Sequence, residues 1–226
     1  MIDAHCHILP KVDDGAKSIR ESEQMLKAAK ECGIDKIIFT SHIKHDYANC
    51  EAQKKAYEII KPIAKKLNIK TAFGCEVHWK KLAEYDFKDI KKFKMGKSNL
   101  FLLEFSYPGV PDTWKKIIKK LKKAGYKVVI AHPERYKSVH ENYKQVKEFK
   151  ENGCLIMMSA QSLNKELQKR KIFKTAKKLI KKQYVDIIAS DAHSVADYQD
   201  FVNALNFASK YKYSNQKAQK ILQGAF

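Results

Sequence analysis

The feature that most constrains the fold is a regular alternation of short apolar segments with longer amphipathic ones. Seven apolar segments have the length of strands, at residues 2–7, 36–41, 69–76, 100–105, 127–131, 154–159 and 185–190. The stretches between them have helical periodicity, at residues 18–32, 50–67, 112–124, 142–151 and 164–183. Gly33, Gly125 and Gly153 each close a helical stretch just before a strand, as helix C-caps do. Strands that alternate with helices predict a parallel sheet.

Histidine and acidic residues recur where the predicted strands end. His5 and His7 are two residues apart on the first strand, so their imidazoles point to the same side. Further polar side chains follow later strands, namely His42, Glu76, Glu104, His132, Asp191 and His193. The first loop adds the neighbouring carboxylates Asp13 and Asp14. A set of this kind predicts a site for more than one metal ion on an α/β scaffold.

The distribution of these residues favours a closed arrangement of strands over an open one. In a barrel the C-terminal end of every strand faces the same mouth, whereas an open sheet gathers a site near one crevice. Six of the seven predicted strands carry a candidate ligand at or just past their end. We therefore predict a seven-stranded, barrel-like α/β sheet.

The 226 residues suit one large domain or two small ones. No proline- or serine-rich linker, internal repeat or low-complexity tract divides the sequence, so we expect one domain over residues 1–226. The apolar runs are about as long as strands, which predicts that no segment spans a membrane. The first residues lack the basic and apolar regions of a signal peptide, so we expect a cytoplasmic protein.

The formal net charge is +20, with 45 lysines and arginines. Only Arg20, Arg135 and Arg170 are arginine, and the lysines are spread over nearly all of the predicted helices. Spread lysine is typical of solvated helix faces. The alternative is that the charge attracts an anionic partner, such as a phosphorylated peptide, a nucleic acid or a membrane surface.

The five cysteines argue against thiol chemistry. Their number is odd, and no C-x-x-C pair occurs, which argues against a disulfide framework or a structural zinc site. No cysteine is followed six residues later by arginine. The C-x5-R motif that cysteine-dependent tyrosine phosphatases require is therefore missing, and we exclude a thiol nucleophile.

The ligand types indicate the metal and the reaction. Imidazole and carboxylate together suit manganese, iron or zinc, and calcium less well. Carboxylates can bridge two cations, and Glu76 and Glu104 are natural bridges. The whole set would serve two or three divalent ions. Clustered cations activate water near neutral pH and hold the oxygens of a phosphoryl group, so the set predicts phosphoester hydrolysis.

Several segments resemble a known family. They are residues 5–10 (HCHILP), 13–16 (DDGA), 74–76 (GCE), 103–105 (LEF), 131–135 (AHPER) and 190–193 (SDAH). Together they look like the PHP (polymerase and histidinol phosphatase) superfamily, and more narrowly the metal-dependent protein-tyrosine phosphatases of bacterial capsule and exopolysaccharide loci. The match runs in order from residue 1 to about residue 200. The resemblance implies a distorted, seven-stranded β/α barrel of PHP type and a trinuclear, usually manganese-dependent centre, with iron, zinc or magnesium as alternatives.

Carried over motif by motif, the resemblance implies the metal ligands His5, His7, Asp14, His42, Glu76, Glu104, His132, Asp191 and His193. It favours Asp14 over Asp13, which the residue types alone leave open. It also implies that Arg135 is the catalytic phosphate clamp. A second argument is independent of the resemblance. In a chain so rich in lysine, an arginine beside a candidate ligand histidine indicates a need for the planar guanidinium group, which can bind a phosphate through two hydrogen bonds.

Other substrate contacts are expected around this set. The family tends to carry a second arginine five residues after the last ligand histidine, and here that position is Tyr198. The family often has a histidine pair near His42, whereas this chain continues with Lys44 and His45 after one isoleucine. We expect Tyr198, Lys44 and His45 to adapt to the substrate, and Tyr107 to line the mouth where a peptide would dock.

The sequence thus predicts a metal-dependent phosphoric monoester hydrolase that acts on phosphotyrosine in protein. The expected partner is a cognate bacterial tyrosine kinase that controls capsule or exopolysaccharide synthesis. The first alternative is a small-molecule phosphatase, such as a histidinol-phosphate phosphatase. A nucleic-acid-directed phosphoesterase is a further alternative, although the chain lacks a basic stripe interleaved with aromatic residues. A complete ligand set argues against a non-catalytic binding module.

Overall fold

The computed structural model describes residues 1–44, 49–84, 89–166 and 169–226. Within these residues the strands are β1 (Ile2–Asp3), β2 (Lys36–Phe39), β3 (His42–Ile43), β4 (Lys70–Phe73), β5 (Glu76–His78), β6 (Leu100–Glu104), β7 (Lys127–Ala131), β8 (Leu155–Ser159) and β9 (Ile187–Ala189). The α-helices are α1 (Ile19–Glu31), α2 (Cys50–Lys66), α3 (Trp114–Lys123), α4 (Lys137–Glu141), α5 (Lys144–Glu151), α6 (Arg170–Lys181), α7 (Asp197–Ser209) and α8 (Asn215–Leu222). Short 3-10 turns such as Pro133–Arg135 lie between them.

The strands are parallel and form two sheets. Six of them make a curled sheet in the order β3-β5-β6-β7-β8-β9, and β1-β2-β4 make a smaller one. The pairing is parallel throughout, with β6 and β7 in register from Leu100 opposite Lys127 to Leu103 opposite Ile130. This confirms the predicted α/β architecture with a parallel sheet.

The predicted count of seven strands in one sheet is not confirmed. The segment 36–41 forms β2, and a separate strand β3 follows it in the other sheet. The segment 69–76 forms β4, and β5 begins in the other sheet at its last residue. At the second break, Cys75 N donates to Phe93 O at 3.1 Å, so this amide bonds to a 3-10 turn instead of a neighbouring strand. At the first break, the side chain of Thr40 accepts from Cys6 N at 3.3 Å. These bonds are made with distant segments at the points where the strand ladder is interrupted, and apolar patterning does not reveal them.

The first segment of the chain meets the last strand through backbone hydrogen bonds. Asp191 N donates to His5 O at 2.8 Å, and His7 N donates to Ala192 O at 2.9 Å. The free edges of the two sheets are therefore joined at the point where β9 ends. The same contact brings the histidine pair of the N-terminus next to the acidic residue that follows β9.

The strands are buried on both faces. Along β6, Phe101 and Leu103 lie in a large core beneath the helices, and Leu100 and Leu102 lie in a smaller core on the opposite face. This alternation explains why the strands read as continuous apolar runs. The smaller core is completed by the end of the chain, where Leu222 of α8 packs against it.

Helix starts follow ordinary capping chemistry. The Ser18 side chain accepts from Glu21 N at 3.1 Å ahead of α1, and Asn49 Oδ1 accepts from Ala52 N at 2.9 Å ahead of α2. Such caps satisfy amides that have no partner within the helix. In the part of the chain that the structure describes, no helix has both the length and the apolar character needed to cross a membrane.

Gly96 holds the C-terminal segment against the sheet. Its φ is +57°, and a Cβ at this position would lie 1.9 Å from Ala225 O. Gly125 also has a positive φ, of +89°, but a Cβ there would have no atom within 4 Å. We expect Gly96→Ala to lower the free energy of unfolding by about 1–3 kcal/mol more than Gly125→Ala, because only the first displaces the tail. Urea denaturation of both variants measures the difference, and equal losses would contradict the docking of the tail.

Candidate metal centre

The ends of the strands bring all nine predicted ligands into one cluster. Their side chains form four overlapping groups that could each hold a metal ion: His7, Asp14, His42 and His193; His5, His7 and Glu76; His5, His132 and Asp191; and His42, Glu76 and Glu104. Within each group the candidate ligand atoms lie within 4.8 Å of one another. Shared members link the four groups into one continuous polar centre.

Glu76 lies in the middle of the cluster and is fully buried. Its Oε1 is 2.7 Å from His132 Nε2 and 3.4 Å from His5 Nε2. Its Oε2 is 2.6 Å from His42 Nδ1. One carboxylate therefore faces three imidazoles, which is the geometry of a group able to bridge two cations.

The tautomers of two histidines are set by oxygen atoms that are not candidate ligand atoms. His7 Nδ1 is 2.8 Å from Asp13 Oδ2, and His193 Nδ1 is 2.9 Å from Asp191 O. Carboxylate and carbonyl oxygens accept hydrogen bonds and cannot donate them, so Nδ1 carries the proton in both rings. In the neutral ring, Nε2 then has a free lone pair.

Both lone pairs point at carboxylate oxygens. His7 Nε2 is 3.5 Å from Asp191 Oδ1, and His193 Nε2 is 3.4 Å from Asp14 Oδ1. Two acceptors facing each other repel unless a cation, either a further proton or a metal ion, lies between them. Imidazoles whose second nitrogen is fixed by a hydrogen bond are typical metal ligands. The residues present therefore fit a bound metal.

The pKa values of the cluster point the same way. Burial alone would lower the pKa of His5, but the charges of Glu76 and Asp191 outweigh burial and raise this pKa to about 9. Burial and the charge of Glu76 raise the pKa of Glu104 to about 7. The carboxylates of the cluster thus favour additional positive charge beside them. A divalent cation would supply that charge in place of protons.

Asp13 and Asp14 occupy different places although they are neighbours. Asp13 is buried behind the cluster, where its Oδ2 accepts from His7 Nδ1 at 2.8 Å and from His42 N at 3.1 Å. Its Oδ1 accepts from Gly15 N at 3.0 Å. Asp14 instead is partly exposed and joins a metal-holding group. The turn is tight, because a Cβ on Gly15 would lie 1.9 Å from His7 O.

Sequence reasoning missed the residues that support the ligands. His5 Nδ1 is 2.7 Å from Thr40 Oγ1, and Asp3 accepts from Ser190 Oγ at 2.6 Å. Asp3 precedes His5 by two residues and so shares its side of the strand, which was an available signal. Thr40 and Ser190 gave none, because single hydroxyl residues at strand ends are common.

Glu134 is a second buried support. It is adjacent to Arg135 in the turn after β7, and its Oε1 accepts from Ser159 N at 3.0 Å and Ser162 Oγ at 2.7 Å. These bonds tie the turn to the end of β8. Burial raises the pKa of Glu134. Its position directly after the motif histidine and proline could have marked it as more than a surface acid.

Two of the candidate ligand residues have unusual backbone angles. His132 has a φ of 29° and Asp191 a φ of 53°, and neither is glycine. Both stand just after a buried strand, β7 or β9. Left-handed conformations of such residues cost free energy and persist where the surrounding structure holds them, commonly at functional sites.

Arg135 lies beside the cluster and is reachable from solvent. Its Nη2 donates to Ser159 Oγ at 2.8 Å and is 2.7 Å from Asp191 Oδ2, and the side chain is 26% exposed. Lys44 Nζ is 3.5 Å from Asp14 Oδ2. The structure therefore brings both predicted basic contacts to the edge of the site. Tyr107 is exposed in the segment after β6.

Tyr198 is not brought to the site, which corrects the expectation that it contacts substrate. It lies in α7 with its side chain fully buried in the large core. Burial and the neighbouring Cys6 raise the pKa of its hydroxyl well above the usual value. Counting five residues from His193 lands on the inner face of a helix, and spacing alone could not show this. His45 falls outside the described residues.

A curled parallel sheet with imidazole and carboxylate groups clustered at its strand ends places this chain among the α/β proteins with residues able to hold metal. The chain belongs to the capsular polysaccharide synthesis CpsB/CapC family, which it matches over residues 1–224. The family resemblance stated from the sequence segments is thereby confirmed.

The relatives include tyrosine-protein phosphatases. YwqE of Bacillus subtilis is 32% identical over 200 residues, which cover 86% of this chain and 78% of that protein. CpsB of Streptococcus pneumoniae is 29% identical over 236 residues, covering 98% and 94%. One solved structure, from a set of crystal structures of YwqE and CpsB described as metal-dependent tyrosine phosphatases, is similar with a TM-score of 0.79 at 27% identity, covering 100% of this chain and 96% of the other.

A more distant likeness concerns the fold alone. The phosphotriesterase homology protein of Escherichia coli has a TM-score of 0.60 at 10% identity, covering 96% of this chain and 94% of the other. The arrangement of strands is therefore shared more widely than the family.

Asp13 offers a test of the site that does not depend on catalysis. Both of its oxygens accept from fixed N–H donors, so Asp13→Asn would have to direct an amide N–H against one of them. We expect Mn²⁺ to bind about 10–100-fold more weakly, as for loss of a group that orients a ligand. Isothermal titration calorimetry measures this, with Asp112→Asn on an exposed turn as the control. Unchanged affinity in Asp13→Asn would contradict the supporting role.

Proposed function

We propose that this protein is a metal-dependent phosphatase that hydrolyses phosphotyrosine in protein. The observation that carries the proposal is the set of four overlapping metal-holding groups with Arg135 at their edge. The relatives named tyrosine-protein phosphatases support the substrate class. The nine clustered side chains serve as the metal ligands.

We infer that the centre holds two or three divalent ions, with manganese the first candidate. The groups share His5, His7, His42 and Glu76, so the ions would lie close together. Mixed imidazole and carboxylate donors suit manganese, iron or zinc, and magnesium less well. When bound, the ions supply positive charge that stabilises the transferring phosphoryl group and makes water more acidic.

The protein's own side chains then position the substrate. Arg135 presents a planar fork to the phosphoryl oxygens, and its contacts with Ser159 and Asp191 orient the guanidinium. Lys44 adds positive charge beside Asp14. His45 and Tyr107 stay predicted contacts for the peptide. The phenolate of tyrosine is a good leaving group, which lessens the need for a strong general acid.

A cysteine nucleophile is not part of this proposal. Cys6 lies between two ligand histidines in sequence, yet its side chain is fully buried in the large core. Burial raises the pKa of its thiol well above the usual value, which disfavours the reactive thiolate.

The finer expectations belong to the same proposal. Residues 1–226 act as one PHP-type domain, whose two sheets together make the distorted seven-stranded barrel; the bonds from His5 and His7 to the end of β9 support this. The partner is a phosphotyrosine protein, a cognate bacterial tyrosine kinase, which the capsule-synthesis description of the family supports. The cytoplasmic location stays a prediction from the sequence.

Metal removal and substrate comparison test the function. Chelation should abolish hydrolysis of a phosphotyrosine peptide, and Mn²⁺ should restore it, because the ligands need a cation to organise the site. Metal analysis should find two or three ions per chain. Full activity in a verified metal-free sample would overturn the mechanism. A preference for histidinol phosphate over the peptide by orders of magnitude would favour the small-molecule alternative.

Arg135 provides a second, independent test. Arg135→Ala should lower kcat/KM on phosphotyrosine peptide by roughly 100-fold or more, about 3 kcal/mol, as for loss of a preorganised charge. Arg135→Lys should recover little, since an ammonium offers no bidentate fork. Exposed Arg170→Ala is the matched control and should retain activity. Wild-type kcat/KM for Arg135→Ala on every phosphoester tried would show that Arg135 is not the clamp.

A further inference from the structure

A groove lies between the first loop and the N-terminal parts of α1 and α2. Its volume is about 600 Å³, and its floor is mainly apolar, with Val12, Ile19, Ala56 and Ile59. Ile19 is 46% and Ile59 49% exposed, and these are two of the four exposed large hydrophobic side chains among the described residues. Exposed apolar side chains gathered in one concavity indicate a docking surface. We call it the α1–α2 groove.

The rim of the α1–α2 groove is positively charged. Lys11, Arg20 and Lys55 line it, and all three are exposed. Within residues 1–44, 49–84, 89–166 and 169–226, none of the three forms an ion pair. Acids on the same helices are engaged elsewhere, as Glu51 is with Lys54 and Glu58 with Lys61. The rim therefore offers cations to an outside partner.

The α1–α2 groove adjoins the loop that carries Asp14 of the metal centre. Residues 10–12 line the groove, and Asp14, two residues further along the same loop, faces the cluster. Two extended residues span at most about 7 Å between Cα atoms. A peptide whose phosphotyrosine lies in the metal centre would reach the groove within a few residues.

We propose that the α1–α2 groove binds an acidic segment of the phosphotyrosine protein, close to the phosphotyrosine and carrying an apolar side chain. The apolar floor takes that side chain, and the rim pairs with the flanking carboxylates. A second copy of this chain fits less well, because each copy has a net charge of +20 and would bring the same cations to the contact. The inference rests on the proposed function.

Matched peptides test the proposal. Two phosphotyrosine peptides of equal length are compared, one with glutamates and a leucine around the phosphotyrosine, the other with lysines and a serine at those positions. The wild type should have a kcat/KM at least about tenfold higher for the acidic peptide, as expected for a few exposed ion pairs and one buried apolar side chain. Para-nitrophenyl phosphate, which is too small to reach the groove, measures the catalytic centre alone.

Surface variants test whether the preference for the acidic peptide depends on the α1–α2 groove. Ile59→Ser combined with Lys55→Glu should abolish most of the preference and leave hydrolysis of para-nitrophenyl phosphate unchanged, which also shows that the variant is folded. Lys174→Glu, on an exposed position of α6, changes the net charge by the same amount and should keep the preference. Equal kcat/KM for both peptides in the wild type, or an unchanged preference in the double variant, would overturn the proposal.

Two further measurements separate the remaining outcomes. Sedimentation of the wild type and of Ile59→Ser tests self-association, and a wild-type dimer lost in the variant would assign the groove to a second copy and overturn the proposal. If the wild type does not hydrolyse para-nitrophenyl phosphate, the proposed function fails. Fluorescence anisotropy then still tests whether the groove binds the acidic peptide. Binding of the acidic peptide that is lost in the double variant would support the proposal, and equal binding of the two peptides would contradict it.

Discussion

The structure depends on a buried carboxylate that faces three imidazoles. Glu76 has no exposure to solvent, and an ionised group in such a place is stable only when positive charge surrounds it. The rings of His5, His42 and His132 lie within 3.4 Å of its oxygens, and the raised pKa values of His5 and His132 let these two rings supply part of that charge. A divalent cation would provide the rest. The folded state and the loaded centre are therefore coupled, since the same ion would stabilise both.

The surrounding fold is arranged to hold these groups in place. Parallel strands end at one rim, and backbone bonds join the first segment to the end of β9, so candidate ligands from distant parts of the sequence meet. Asp13 and Thr40 fix histidine rings from outside. The left-handed backbone at His132 and Asp191 shows that the fold tolerates local strain where ligands are presented. Rigid support of this kind limits how far a ligand can move when substrate arrives.

Charge acts at two ranges in this protein. Around the centre, Arg135 and Lys44 lie within 3.5 Å of the carboxylates of Asp191 and Asp14. Over the surface, the net charge of +20 attracts anionic proteins from a distance. The α1–α2 groove has a cationic rim and an apolar floor. In the proposed role it would add specific short-range contacts to the long-range attraction.

The sequence by itself determined the parallel α/β class, the family and the nine residues that cluster. Periodicity and the residue types at strand ends are properties of short segments, so they can be recognised without the tertiary structure. Only the tertiary structure decided how the strands break, since the hydrogen bonds at Thr40 and Cys75 come from distant segments. It also showed where Asp13 lies, because its carboxylate turns inward behind His7. Tyr198 shows the same limit: its distance from His193 along the chain is fixed, but helix α7 turns its ring into the core. Residue spacing specifies which groups are near in sequence, and packing specifies which way they face.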